Sequence, residues 1–298
     1  MQNNNFIDNK SKAYYIKLFL FPYYPHKFLR SVRFLAFLAI LFALRIIFGY
    51  ISIPLPFIGK NISFALVPTM LMGWFFGPIH GIFLGAISDT MTFALFPSSV
   101  WFWLYAIQEP VYGFLGGISR GLLDWRSRKK TNSYLFDFLY QQFSLMIFIV
   151  ISLTSIFAWI NDGDKLEYFI VYKWLVIFLS IVFIIVMECV SIYYIKLLDL
   201  NKDRDKVLTF IYSSTLVCIV IIVFSFLLGP ISAIEYWKYT HNGAAPSAFL
   251  KYGILYYLIP RVGIECVKTP LEILLFCPLI LIGKSYFNNM LNTIDNRW

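Results

Sequence analysis

The fold of this chain is decided by one apolar stretch, Ile62-Ser-Phe-Ala-Leu-Val-Pro-Thr-Met-Leu-Met-Gly-Trp-Phe-Phe-Gly-Pro78. A second apolar run follows it directly and continues to about residue 96. Proline cannot continue the hydrogen bonding of a preceding helix, and a glycine before it permits a sharp turn. The sequence therefore predicts a tight hairpin of two apolar helices, 62–76 and 78–96.

The composition of the whole chain excludes a soluble catalytic domain. Hydrophobic residues make up 59% of the 298 residues and charged residues 14%, whereas soluble domains carry roughly a quarter charged residues. The net charge of +9 does not indicate nucleic-acid binding, because Lys and Arg lie in short loops between apolar runs. Phosphate-binding glycine loops, serine-nucleophile elbows and zinc-protease motifs do not occur. We therefore predict a membrane protein that is not an enzyme and needs no cofactor or metal.

Apolar runs near the roughly 20 residues that cross a bilayer recur along the chain. They lie at 32–50, 62–76, 78–96, 101–121, 135–160, 168–198, 207–234 and 252–283. Basic residues concentrate before the first run and after the fourth and sixth, which by the positive-inside rule places both termini in the cytoplasm. We expect an all-α protein of the cell membrane with about eight transmembrane helices. Residues 1–30 form a cytoplasmic or interfacial segment in this prediction, and 31–298 form a single transmembrane domain.

Ionisable residues inside the apolar runs are the first candidates for function. Each costs roughly 2.5–3.5 kcal/mol at a helix centre, so it usually pairs with another group or lines a cavity. Four of them share one face of the last run, at i, i+4, i+7 and i+11: Arg261, Glu265, Lys268 and Glu272. This stripe is either an internal ladder of ion pairs or a ligand-binding surface. We expect Lys268 to pair with its flanking glutamates and retain it as a candidate ligand contact. Other deep ionisable residues are Arg45, Asp89, Glu109 and Glu188.

Small residues four positions apart occur in the first and third runs. Such faces let helix backbones approach closely in a bilayer. We predict that Gly81 and Gly85 pack inside the bundle. For Ala39 and Ala43, internal packing and docking onto another membrane protein both remain open.

An aromatic segment follows the third run, from Phe96 to Trp103. Its tryptophans, Trp101 and Trp103, form either an interfacial aromatic belt or a platform that stacks on a planar ligand.

These motifs, in this order, resemble the substrate-binding S components of energy-coupling-factor (ECF) vitamin transporters, particularly the folate family. The resemblance covers about 32–121 and 207–283. Its motifs are the stretch 62–78, Gly85-Ala-Ile-Ser-Asp89 through Phe96-Pro97-Ser98, Pro110-Val-Tyr-Gly113, and Pro260-Arg261 with Thr269-Pro270.

The resemblance implies a six-helix bundle whose vitamin pocket opens outward. The chain departs from this pattern by about 65 extra residues, 134–198, which we expect to form an inserted two-helix hairpin. It implies that Ala39 and Ala43 dock onto a transmembrane coupling protein, which two cytoplasmic ATPases energise. We expect the inserted hairpin to pack outside the pocket, so that its deletion spares ligand binding if the remainder folds.

With folate as the favoured ligand, each candidate residue has an expected role. Arg261 pairs with a ligand carboxylate, and Asp89 or Glu109 accepts hydrogen bonds from the pterin. Trp101 and Trp103 stack on a ring and close the pocket.

The chain departs from the folate pattern at two expected ligand contacts. Gly229-Pro230-Ile-Ser-Ala stands where an Asn-Thr-Leu-Trp-like stretch is usual, and Ile264 stands where a lysine is usual. The alternatives are an S component for another small vitamin, or a self-contained secondary transporter whose buried carboxylates carry protons.

Overall fold

The computed structural model describes residues 19–20, 32–55, 60–95, 100–128, 135–161, 170–199 and 204–295. The predicted segment 1–30 therefore lies outside the described residues, apart from 19–20. The described chain is helical except for short connections and one antiparallel hairpin, which pairs β1 (Ser52–Leu55) with β2 (Lys60–Ser63). The all-α fold class predicted from the sequence is confirmed, with this small hairpin as an addition.

Eight helices of the described chain overlap the predicted apolar runs, although the helix of the fourth run begins and ends seven residues later than predicted. They are α1 (Val32–Tyr50), α2 (Leu66–Phe76), α3 (Pro78–Leu95), α5 (Gln108–Arg128), α6 (Leu135–Asn161), α7 (Ile170–Asp199), α8 (Arg204–Val220) and α11 (Leu255–Asp295). The helix of α8 continues through a π-helical segment, Ile221–Leu228, into α9 (Gly229–Thr240). Two short helices, α4 (Trp103–Ala106) and α10 (Ser247–Tyr252), precede α5 and α11.

Four helices in the described part of the chain are long and apolar enough to cross a bilayer. They are Val32–Tyr50, Leu135–Ala158, Arg204–Thr240 and Leu255–Tyr286. The second predicted run differs from expectation, because β2 occupies its start and leaves α2 with 11 residues. At about 1.5 Å per residue, α2 reaches only about half of the hydrocarbon core.

The late start of α2 has a local cause at Ser63. Its hydroxyl donates a hydrogen bond to the Phe48 carbonyl at 3.0 Å and accepts one from the Ala65 N–H at 3.3 Å. Side-chain bonds of this kind compete with helical hydrogen bonding and favour a turn. The apolar pattern begins at residue 62, whereas the helix begins at residue 66.

Glycines allow α2, α3 and α5 to approach at backbone distance. A Cβ atom at Gly73 or Gly81 would collide with the backbone of Gly113, and one at Gly85 would collide with the backbone of Glu109. The predicted internal packing of Gly81 and Gly85 is confirmed. This close approach fixes the position of α5, which contributes Gln108 and Tyr112 to the cavity described below.

The hairpin of α6 and α7 is joined to the bundle by buried polar contacts. Asp137 on α6 is fully buried, and its carboxylate accepts hydrogen bonds from Arg126 at 3.0 Å and from the Tyr212 hydroxyl at 3.1 Å. The Gln141 amide donates to the Ser214 hydroxyl at 3.0 Å. These contacts link α6 to α5 and α8, so the hairpin is part of the packed bundle.

Candidate ligand cavity

A cavity of about 190 Å³ lies between α5, the π-helical segment and α11. Its polar wall carries Arg261, Glu265 and Lys268 from α11 and Ser225 from the π-helical segment. Its aromatic wall is formed by Tyr105, Tyr112 and Phe224. Pockets for drug-sized ligands measure about 300–1,000 Å³, so the cavity in this conformation encloses a small ligand or one end of a larger one.

The charged stripe of α11 faces the bundle interior, as its spacing predicts. Lys268 lies between two glutamates, with its Nζ 3.0 Å from Glu272 Oε1 and 3.7 Å from Glu265 Oε1. The Ser225 hydroxyl donates a hydrogen bond to Glu265 Oε1 at 2.8 Å. The pairing predicted for Lys268 is present, and the same lysine also borders the cavity.

Arg261 enters the cavity with part of its donor capacity unused. Its side chain is hydrogen-bonded to Tyr105, while its Nε is buried without a hydrogen-bond partner. A Cβ atom on Gly229 would lie 2.9 Å from this Nε, so a larger residue at Gly229 would crowd the guanidinium. Because Arg261 lines the cavity, its guanidinium can donate hydrogen bonds to a carboxylate placed there.

Glu109 lies away from the cavity lining, in a separate ion-pair network. Its Oε1 is 2.6 Å from Arg45 Nη2, and its Oε2 accepts a hydrogen bond from the Thr69 hydroxyl at 2.5 Å. This network ties α5 to α1 and α2. The role predicted for Glu109 as an acceptor for the pterin stays a prediction, and both of its oxygens have protein partners.

Asp89 also lies outside the cavity lining. It is half-buried on α3, and its carboxylate accepts a hydrogen bond from the Trp101 side chain. Trp101 is 49% exposed and Trp103 58% exposed. Asp89 therefore links Trp101 of the aromatic segment to α3. Residues 96–99 of that segment lie outside the described residues.

Phe102 anchors the aromatic segment in the bundle. It is 7% exposed, and its ring centroid lies 5.9 Å from that of Tyr105 and 5.6 Å from that of Tyr236. Trp103 borders a second, more open hollow of about 440 Å³ with Phe102 and Tyr239. The aromatic residues at the main cavity are thus Tyr105, Tyr112 and Phe224. Sequence reasoning missed all three, although Tyr112 lies within the Pro110–Gly113 motif.

Ala39 and Ala43 lie on the exposed face of α1. The opposite face buries Phe34, Phe37 and Leu41 against the bundle. The two alanines are therefore available to lipid or to another membrane helix.

Sequence comparisons place the chain among transport proteins. The family described as "ECF transporter, substrate-specific component" matches residues 33–193, more than half of the chain. The matched range contains α6 and most of α7, so the comparison does not set 134–198 apart as an insertion.

Several curated proteins are similar in sequence. An uncharacterized protein of Mycoplasma genitalium is 33% identical over 94% of this chain and 99% of its own length. A homologue of that protein in Mycoplasma pneumoniae is 31% identical over the same shares. A UPF0397 protein of Streptococcus pneumoniae is 29% identical over 28% of this chain and 50% of its own length. No solved structure shows significant similarity to the chain.

Proposed function

Because the chain belongs to the family of ECF transporter substrate-specific components, we propose that it is the binding subunit of an ECF-type vitamin importer, with folate as the favoured ligand. The observation that carries the proposal is the interior cavity with Arg261 and Lys268 on one wall and Tyr105 and Tyr112 on another. Buried cations favour a carboxylated ligand, and aromatic rings favour a planar one. Folate has both features.

The size of the cavity supports a second candidate of the same class. At about 190 Å³, it takes one end of folate without further opening, whereas a smaller planar vitamin would fill it. Gly229, where the folate pattern has a bulkier stretch, borders this cavity. An S component for another small carboxylated vitamin is therefore the alternative ligand assignment.

The proposed importer contains further subunits. In this proposal the chain lies in the cell membrane with both termini in the cytoplasm, and the cavity opens to the outside. The exposed Ala39 and Ala43 face of α1 docks onto a transmembrane coupling protein, and two cytoplasmic ATPases supply energy.

Affinity purification of the tagged chain from its own cells tests the assignment. We expect a coupling protein and two ATPases to co-purify. Denaturation of the complex should release the bound ligand, which mass spectrometry should identify as folate or a related vitamin. Uptake of labelled folate should stop when the ATPases are inactivated. Uptake that continues without them, driven by a proton gradient, would instead establish a secondary transporter.

Substitution of Ala39 or Ala43 by tryptophan should abolish transport and leave ligand binding by the isolated subunit unchanged. The indole would hold the partner helix away from α1, since small residues are what permit close helix contact in lipid. Labelled-vitamin uptake in cells and equilibrium binding to the purified subunit measure the two effects.

The matched control for docking is Ala94→Trp, because Ala94 is also an exposed alanine of an apolar helix but lies on α3. Its uptake should equal that of the wild type. Undiminished uptake by both α1 variants would refute the docking role.

A further inference from the structure

The charged stripe of α11 extends beyond the cavity to Glu272. This residue is completely buried, and its Oε2 has no hydrogen-bond partner. Its nearest cation is Lys268, whose Nζ lies 3.0 Å from Oε1. Lys268 borders the cavity and is shared with Glu265. A group that contacts Lys268 from the cavity therefore changes the electrostatic environment of Glu272.

The charges of the stripe cancel when all four groups are ionised. Arg261 and Lys268 supply two positive charges, and Glu265 and Glu272 supply two negative ones. A ligand carboxylate at Arg261 and Lys268 would leave an excess negative charge in a low-dielectric interior, where uncompensated charge is strongly unfavourable. From the neighbouring helices, Tyr112 of α5 and Cys218 of α8 interact electrostatically with Glu272. Neither residue is a cation, so neither offsets the excess.

We infer that Glu272 is a proton-binding site coupled to the cavity, so that a proton on Glu272 and an anionic ligand bind together. The proton resides on the Glu272 carboxylate, which becomes neutral, and Lys268 is then free to pair with the ligand and with Glu265. The inference rests on the proposed function and requires that the ligand carry a carboxylate. It assigns Glu272 a role apart from ligand contact, since Glu272 does not border the cavity.

Folic acid binding measured across pH 6–9 tests the coupling. Linkage of one proton makes the affinity fall by up to about tenfold per pH unit as Glu272 loses its proton. In Glu272→Gln, which is permanently neutral, the affinity should be retained and this dependence lost. The titration of folic acid itself is common to both proteins and cancels in the difference. Equal pH profiles for the two proteins would overturn the inference.

The matched control is Glu188→Gln. Glu188 lies on α7, where its carboxylate accepts a hydrogen bond from the Gln142 amide at 3.1 Å, away from the stripe. This variant should keep the wild-type pH profile. If Glu272→Gln does not fold, proton uptake by the wild type decides the question, from calorimetry in buffers of different ionisation enthalpy. Zero uptake throughout pH 6–9, beyond that of folic acid itself, would overturn the inference.

A second measurement needs no ligand and separates this inference from the proposed function. The infrared spectrum of the purified protein at pH 6 should show the carbonyl band of a buried protonated carboxylic acid even without ligand, because complete burial opposes the charged form of Glu272. The band should weaken as the pH rises and be missing from Glu272→Gln. Bound folic acid should shift the loss of this band to higher pH. If folic acid does not bind, the folate assignment fails while the band still tests Glu272. A spectrum without the band, in the presence and absence of ligand, would refute the proton site.

Discussion

Asp137→Ala should destabilise the protein by about 3–5 kcal/mol, because it removes the carboxylate that pairs with a buried arginine. Arg126 is 3% exposed, and its Nη2 lies 2.9 Å from Asp137 Oδ2. The substitution also removes the acceptor for the buried Tyr212 hydroxyl. Thermal unfolding in detergent, followed by near-ultraviolet circular dichroism, measures the loss.

The control for this prediction is Asp124→Ala, because Asp124 lies on α5 two residues before Arg126. Asp124 pairs with Arg120 at 3.2 Å, but its side chain is 43% exposed, and exposed pairs contribute only about 0–1 kcal/mol. The double variant Arg126→Leu/Asp137→Leu should recover much of the stability, since it removes both buried charges. If Asp137→Ala unfolded at the same temperature as Asp124→Ala, α6 would not depend on this ion pair.

The same ion pair bears on deletion of 134–198. The sequence predicts that this deletion spares ligand binding in a protein that still folds. None of the cavity-lining residues belongs to α6 or α7, which agrees with a hairpin that packs outside the pocket. However, the deletion would remove the Asp137 carboxylate that pairs with Arg126, and it would uncover the faces of α8 and α11 that the hairpin buries. We therefore expect poor folding to be the main consequence, and the effect on binding stays a prediction.

The positions of the helices were predictable because apolar runs and helix-breaking residues are local signals. Gly77-Pro78 separates α2 from α3 as expected, and the spacing of the α11 charges placed all four on an interior face. The start of α2 was not predictable from hydropathy, because it depends on a serine that bonds to the preceding helix and on strand pairing between β1 and β2.

The partners of the deep charges were harder to predict. Arg45 and Glu109 are 64 residues apart in sequence, and the sequence around either residue carries no signal that predicts the other as its partner. Their pairing leaves Glu109 with protein partners on both oxygens, whereas Arg261 keeps a buried Nε without a hydrogen-bond partner. Depth in an apolar run therefore identified residues that must be neutralised or paired. It did not tell which of them border a cavity.

Replacing Arg261 with alanine should weaken folate binding by roughly 2–5 kcal/mol, as expected when one partner of a buried, hydrogen-bonded charge pair is removed. Arg261 borders the cavity, and its buried Nε has no partner in the protein. Arg261→Lys should restore only part of the affinity, because an ammonium group cannot form the two parallel hydrogen bonds of a guanidinium. Equilibrium binding to the purified subunit measures both variants.

Lys238→Ala provides the charge-matched control. It also removes one cation, but Lys238 is partly exposed and pairs with Glu235 at 2.7 Å on α9. Tyr105→Phe isolates the existing hydrogen bond between Tyr105 and Arg261. If that bond only positions the guanidinium, its loss should cost much less affinity than Arg261→Ala.

A folate analogue without the glutamate distinguishes ligand contact from a structural role. If Arg261 pairs with a glutamate carboxylate, the analogue should bind the wild type and both Arg261 variants with nearly equal affinity. If Arg261 serves only to neutralise Glu265, four residues away on the same face, both ligands should lose affinity equally and the variants should fold poorly. The cavity, at about 190 Å³, is too small to enclose all of folate. The effect of the Arg261 variants therefore depends on whether the glutamate end or the pterin end of folate enters it. Equal losses for the two ligands would exclude the carboxylate pairing, and a loss confined to folate would place its glutamate end against α11.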